Sequence, residues 1–146
     1  TAAEGAAAMA LNIAKVEPNF HTVCFDNAIR RVPTLTPKMR LDEVLRLTSN
    51  ISANGTDCAV PIDYALEKGI QADAFVIVTD NETWAGPMHV SQSLNKYRQK
   101  TGIQAKLIAI AMTATNYTIG DPNDAGTLSV NGFDANVPLI VQEFLK

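Results

Sequence analysis

The stretch VIVTDNETWAG, residues 76–86, decides the fold. Val76, Ile77, Val78 and Thr79 run without alternation straight into Asp80, Asn81 and Glu82. A short continuous apolar or β-branched run is the pattern of a strand covered on both faces, as in a parallel sheet. The acidic tip at its end is open to three readings: a helix cap, a catalytic carboxylate or a metal ligand.

Working outward, AKLIAIAMT (105–113) repeats the buried-strand pattern. Between the two runs, MHVSQSLNKYRQKTG (88–102) is an amphipathic helix with Val90, Leu94 and Tyr97 inward and Gly102 as its stop. Upstream, AVPIDYALEKG (59–69) is a helix with Pro61 in its first turn and Gly69 at its end, and RLDEVLRLTS (40–49) has apolar residues at helical spacing. FHTVCF (20–25) and IRRVPTL (29–35) read as two short strands, the second near an edge because of Pro33. The first sixteen residues are alanine-rich and suit a helix packed closely on a sheet. TLSVNGF (127–133) is a weaker strand, and DANVPLIVQEFLK (134–146) a final helix capped by Asp134.

Strands alternating with helices predict an α/β domain over 1–146: a doubly wound, mostly parallel sheet with helices on both faces. Ligands of such sheets bind beyond the carboxyl ends of the strands, where Asp80 lies.

The bulk numbers fit a globular domain: 146 residues, 47% hydrophobic, 18% charged, mean hydropathy +0.02. No run approaches the roughly 18 consecutive apolar residues of a membrane span. The start carries Glu4 and no basic segment, so no signal peptide is expected there. A net charge of −3 argues against a general nucleic-acid surface while leaving room for a local basic stripe. Cys24 and Cys58 match neither a disulfide framework nor a zinc site, and read as free thiols in a reducing, cytoplasmic setting. Sequons at Asn50, Asn54, Asn81 and Asn116 would invite glycans in a secreted chain. Two of them fall in the loops of the working edge, where a glycan would block access, so an intracellular chain is the better reading.

The order of motifs adds a resemblance. GTDC (55–58), TDNETWAG (79–86), KYRQK (96–100), AKLIAIAMT (105–113) and TIGDPNDAGTLSVNGFD (118–134) resemble a von Willebrand factor A domain. More closely, they resemble the A domain of the Ro ribonucleoprotein autoantigens, the TROVE-module proteins. The match runs from the AAAMA helix to the last helix. A domains hold a divalent cation in a metal-ion-dependent adhesion site built from three loops. By this resemblance Thr56 matches the second loop's threonine and Asp80 the third loop's aspartate. Hard oxygen ligands of this kind suit Mg²⁺ or Mn²⁺ and leave a coordination position for a partner. The first loop's Asp-x-Ser-x-Ser is absent from the chain. The resemblance implies that this motif and the first, central strand precede the AAAMA helix, so a companion N-terminal segment is expected to complete the site.

Other residues near the edge have bland alternatives. Asp57 either caps the helix after it or touches metal-bound water, with capping preferred. Asn81 is placed within its loop, and Glu82 is a solvated acid near the metal rather than a general base, because no nucleophile accompanies it at recognisable spacing. Trp84 is either a partner-binding anchor or buried under the next helix. His89, at a helix start, reads as structural. Lys96, Arg98 and Lys100 read as a solvated helix face. Asp121 and Asp124 have no spacing that supports a second cation.

The expectation is therefore a non-enzymatic, metal-dependent binding module with no membrane contact. The resemblance implies a Ro-type protein in which a ring of helical repeats, not in this chain, binds small noncoding Y RNAs and misfolded RNA ends in RNA quality control. The metal site would take an acidic protein side chain or an RNA phosphate. The alternative is an extracellular adhesion A domain, which the sequons favour and the free cysteines disfavour. A hydrolase would need a nucleophile elbow such as Gly-x-Ser-x-Gly, and none is present.

Overall fold

The computed structural model describes residues 2–25, 28–48, 57–79, 87–111, 123–131 and 136–145. Strand β3 (Ala74–Thr79) pairs in parallel with β4 (Lys106–Ala111), from Ala74↔Lys106 to Thr79↔Ala111. On its other side β4 pairs in parallel with β5 (Thr127–Asn131), from Leu107↔Thr127 to Ala111↔Asn131. Both apolar runs are thus adjacent strands of one sheet, with β4 in the middle.

Side chains of a strand alternate between faces, and each face of this sheet is covered. On one face lie Phe75, Ile77, Leu107 and Ala109, packed with Ile62 and Ala65 of α3 (Val60–Glu67) and with Val90, Leu94 and Tyr97 of α4 (Pro87–Thr101). The spacing of the three α4 residues puts them on one stripe, as expected, and burying each contributes about 1.5–3 kcal/mol. The opposite face presents Ile108, Ile110 and, partly buried, Val76, Val78, Leu128 and Val130. It is covered by Met9 and Ile13 of α1 (Ala2–Val16) and by Val137 and Val141 of α5 (Val137–Leu145). Two helices on each face make the sheet doubly wound.

Helix α1 has a second apolar side. Ala7, Leu11 and Ala14 pack with Leu35 and with Val44 of α2 (Leu41–Thr48). Small residues let α1 lie close to the sheet and to α2 at once, which explains its alanine content.

The two glycine stops behave as the sequence predicts. Gly69 (φ 69°) and Gly102 (φ 75°) both take the left-handed conformation that ends a helix cheaply only at glycine. After α3, the Ile70 N–H returns to the Ala65 carbonyl at 2.9 Å, closing the turn.

Three expectations are corrected. The strand expected over 20–25 is limited to β1 (Cys24–Phe25), and the next to β2 (Ile29–Arg31), which ends two residues before Pro33. They form an antiparallel pair with a register shift between Cys24 and Phe25, separate from the parallel sheet. Proline has no N–H to extend the ladder, and the irregular register stops it at the other end. The last strand is described over Thr127–Asn131, and Gly132, Phe133 and the expected cap Asp134 lie outside the described residues. Both cysteines are free and buried, as expected. No described helix is long and apolar enough to cross a membrane.

Candidate metal-binding edge of the sheet

Because β3, β4 and β5 are parallel, Thr79, Ala111 and Asn131 end on one edge. Thr79 is buried, with 6% of its surface exposed. Asp80 follows it in the sequence. Helix α3 ends at Glu67 and the chain enters β3 at Ala74, so α3 runs back against β3 and its N-terminus lies toward the same edge. Cys58, just before α3, packs in one cluster with Ala111, the last residue of β4. The topology therefore brings Cys58, just before α3, to the same end of the sheet as the last residues of β3 and β4.

Asp57 is the candidate whose contacts are on view. Its Oδ1 accepts the Ala59 N–H at 3.0 Å, and its carbonyl accepts the Val60 N–H at 3.1 Å. This is a turn closed by the Asp57 side chain just ahead of α3; the N-cap position is Ala59, and no side chain caps the helix. The expected cap is therefore corrected to a turn that leads the chain into α3. Next to it, burial and then the Asp57 carboxylate push the Cys58 thiol up to about 12. Burial likewise raises Cys24, against a smaller lowering effect of Arg31. Burial thus favours the neutral form of both thiols.

Thr56, Asp80, Asn81, Glu82 and Trp84 lie outside the described residues. His89 falls in the first turn of α4, as expected, and its side chain is likewise outside the description. Among the described residues no group of three or more His, Cys, Asp or Glu could hold a metal.

The opposite, amino edge holds what sequence reasoning missed. Arg98 is not on the solvated side of α4: its side chain is 15% exposed, while Lys96 and Lys100 are exposed. Its Nε donates to the Ala105 carbonyl at 2.9 Å, and its Nη1 to Asp124 Oδ2 at 2.8 Å. Asp124 also accepts from the Gly126 N–H at 2.8 Å and from the Thr127 hydroxyl at 2.9 Å. Burial alone would raise the Asp124 pKa, but these three hydrogen bonds outweigh it and leave the carboxyl below its ordinary value. With both oxygens engaged by donors, Asp124 is a structural tie between α4 and β5 and not a cation ligand. The available signal was the Asp-x-Gly turn before a strand; its arginine partner, 26 residues away, left none. Gly126 fits because a Cβ there would lie 2.8 Å from Arg98 Nη2.

Comparison with known proteins agrees with this architecture. The family described as the Ro60 vWA domain matches residues 1–145. The chain is 39% identical over 143 residues to "RNA-binding protein RO60" of Caenorhabditis elegans, covering 97% of this chain and 22% of that protein. It is 40% identical over 141 residues to "RNA-binding protein RO60" of Deinococcus radiodurans, covering 97% of this chain and 26% of that protein. The crystal structure of the Deinococcus radiodurans Ro (RSR) protein superposes with a TM-score of 0.89 at 39% identity, over 99% of this chain and 29% of that one. The chain thus spans roughly a quarter of the length of these relatives. Family match, sequence identity and fold coincide over essentially the whole chain, which belongs to the Ro60 von Willebrand factor A domain family.

Proposed function

We propose that this chain is the metal-dependent binding module of a Ro-type RNA-binding protein. It acts by holding a partner and not by catalysis. The observation that carries the reading is the edge of β3. Among the described residues β3 is paired on one side only, with β4, and its last residue hands the chain to Asp80. An edge strand with free N–H and C=O groups and apolar residues toward both faces is a template for a further strand. A strand bearing Asp-x-Ser-x-Ser, supplied by a companion N-terminal segment, fits there and completes the sheet.

The donor chemistry fits Mg²⁺ or Mn²⁺: a hydroxyl from Thr56 and a carboxylate from Asp80. The bound cation would supply a Lewis-acidic position for an acidic side chain or an RNA phosphate. Asp57, next in sequence to Thr56, closes a turn through its side chain ahead of α3. The relatives named as RNA-binding proteins support an RNA partner. In the full assembly, small noncoding RNA would be held by the helical-repeat portion, with the A domain contributing its metal edge to RNA quality control. Free buried thiols support a cytoplasmic location.

The test is thermal unfolding of the whole protein with and without Mg²⁺. A ligand at about 100 times its Kd stabilises the folded state by about 2.7 kcal/mol. Asp80→Ala should abolish that increment and leave the melting of the metal-free protein in place. Equal Mg²⁺ stabilisation in the wild type and in Asp80→Ala would remove Asp80 from the site.

A further inference from the structure

Helices α3 and α4 cover the same face of the sheet, and the seam between them opens as a groove of about 410 Å³. The α3 wall carries Asp63, Leu66 and Glu67, and the α4 wall Gln92, Ser93 and Lys96. Asp63 and Glu67 stand one helical turn apart, as do Gln92 and Lys96, so each pair shares a stripe of its helix. All but Leu66 are polar, and the fold engages none of these polar side chains: among the described residues they make no hydrogen bond or ion pair.

Ser93 sets this groove apart from an ordinary solvated seam. Only 8% of its surface is exposed, yet its hydroxyl has no partner among the described residues. A buried hydroxyl left unpaired costs free energy, so an occupant that bonds to it recovers what the fold leaves unmade. Nor do the opposite charges close the groove, since no ion pair joins Asp63 or Glu67 to Lys96. We infer that this groove docks an arginine side chain presented by a partner protein. Neither the metal edge nor RNA enters into this site.

The chemistry of the walls selects the occupant. Two carboxylates on one wall face a hydroxyl and an amide oxygen on the other, so acceptors converge from both sides. A guanidinium has five N–H donors in a planar fork and pairs with carboxylates bidentately, whereas an ammonium has three donors. Leu66, half-buried and between the two acids in sequence, offers an apolar surface to the methylene stem. Two carboxylates against Lys96 leave the groove with a net charge of −1, which one arginine balances. The carboxylates disfavour a phosphate, and the volume is that of a side-chain or small-molecule site and far above that of one ion.

The experiment uses the intact protein and a short acetylated, amidated peptide carrying one arginine, a benzophenone and a fluorophore. Anisotropy measures binding, and photocrosslinking maps it. Crosslinks are expected within α3 and within residues 92–96. A peptide with citrulline in place of arginine keeps the shape, loses the charge and should bind at least about tenfold more weakly. The pair Asp63→Asn, Glu67→Gln should abolish binding. Ser93→Ala should weaken it about tenfold, the worth of one hydrogen bond to a charged group, without lowering the melting temperature, because that hydroxyl bonds to nothing described in the fold. A control of equal charge change, Glu17→Gln with Asp73→Asn, should bind as the wild type does. Crosslinks outside the groove, or binding that survives Asp63→Asn, Glu67→Gln, overturn the site. A lysine peptide that binds as tightly as the arginine peptide overturns arginine as the occupant in favour of any cation. Free L-arginine that displaces the peptide at equal concentration overturns a protein segment in favour of the amino acid. Absence of binding at about 1 mM peptide overturns the site and leaves the metal-edge reading standing.

Discussion

In β4, Leu107, Ile108, Ala109 and Ile110 are all fully buried, whereas Arg30, Arg31 and Val32 in and just after β2 all face solvent. Both stretches are short and both form strands. The first sits in the middle of a parallel sheet with helices on each face, so every side chain contributes to packing. The second is half of an isolated antiparallel pair, and its side chains contribute little to the core. What the difference teaches is that a strand buries every side chain only where neighbours cover both of its faces; the β2–α2 layer is held to the rest of the domain through α1.

The contrast can be broken most forcefully at Ile110. Replacing this fully buried side chain by alanine should cost about 2–5 kcal/mol, read from urea unfolding. A loss below 1 kcal/mol would mean that the α1–α5 face of the sheet is loosely packed, and the two regions would differ less than described.

A middle-sized effect is expected at the amino edge. Asp124→Asn weakens the bonds to Arg98, Gly126 and Thr127, and should cost about 1–3 kcal/mol at pH 7. The folded-state pKa of Asp124 is below its ordinary 3.8, so its contribution is present above that value and is lost as pH falls through the folded pKa. Unfolding curves of wild type and Asp124→Asn should therefore converge in acid below about pH 3.8, and a gap that stays constant to lower pH would remove Asp124 as the titrating group.

The smallest effect sharpens the comparison from the other side. Arg31→Ala removes an exposed side chain with one long bond to the Leu47 carbonyl, and should change stability by no more than about 0.5 kcal/mol. A loss of several kcal/mol would show that the arginine serves the fold through that bond.

Much of this architecture was legible in the chain. The two uninterrupted apolar runs became β3 and β4, and Val90, Leu94 and Tyr97 became the buried stripe of α4. Gly69 and Gly102 ended their helices. These features are local: burial on both faces, a 3.6-residue period and a left-handed turn each leave a mark within about a dozen residues. Of the candidate site, Asp57 lies in the turn leading into α3, beside the helix start that the sequence implied. Thr56, Asp80, Asn81, Glu82 and Trp84 lie outside the described residues, so their contacts rest on the family resemblance.

The rest depended on partners distant in sequence. No local signal said that β1 and β2 would pair with each other and stay apart from the parallel sheet, because alternation marks a strand and not its neighbour. Nor did the run KYRQK distinguish Arg98 from Lys96 and Lys100; the carboxylate that draws Arg98 inward comes from the turn before β5. Tyr97 shows both levels at once. Its burial follows from helical spacing, yet its hydroxyl donates to the Ile70 carbonyl at 2.6 Å and accepts from the Ala72 N–H at 2.7 Å. Those groups meet only when α4 docks beside the α3–β3 turn. By itself, then, the chain determined which segments are strands and helices, which faces they bury and which strand end carries the acid. Tertiary structure alone decided which strand pairs with which, which charges are tied down and which remain at the surface, because a hydrogen bond or ion pair needs both partners in place.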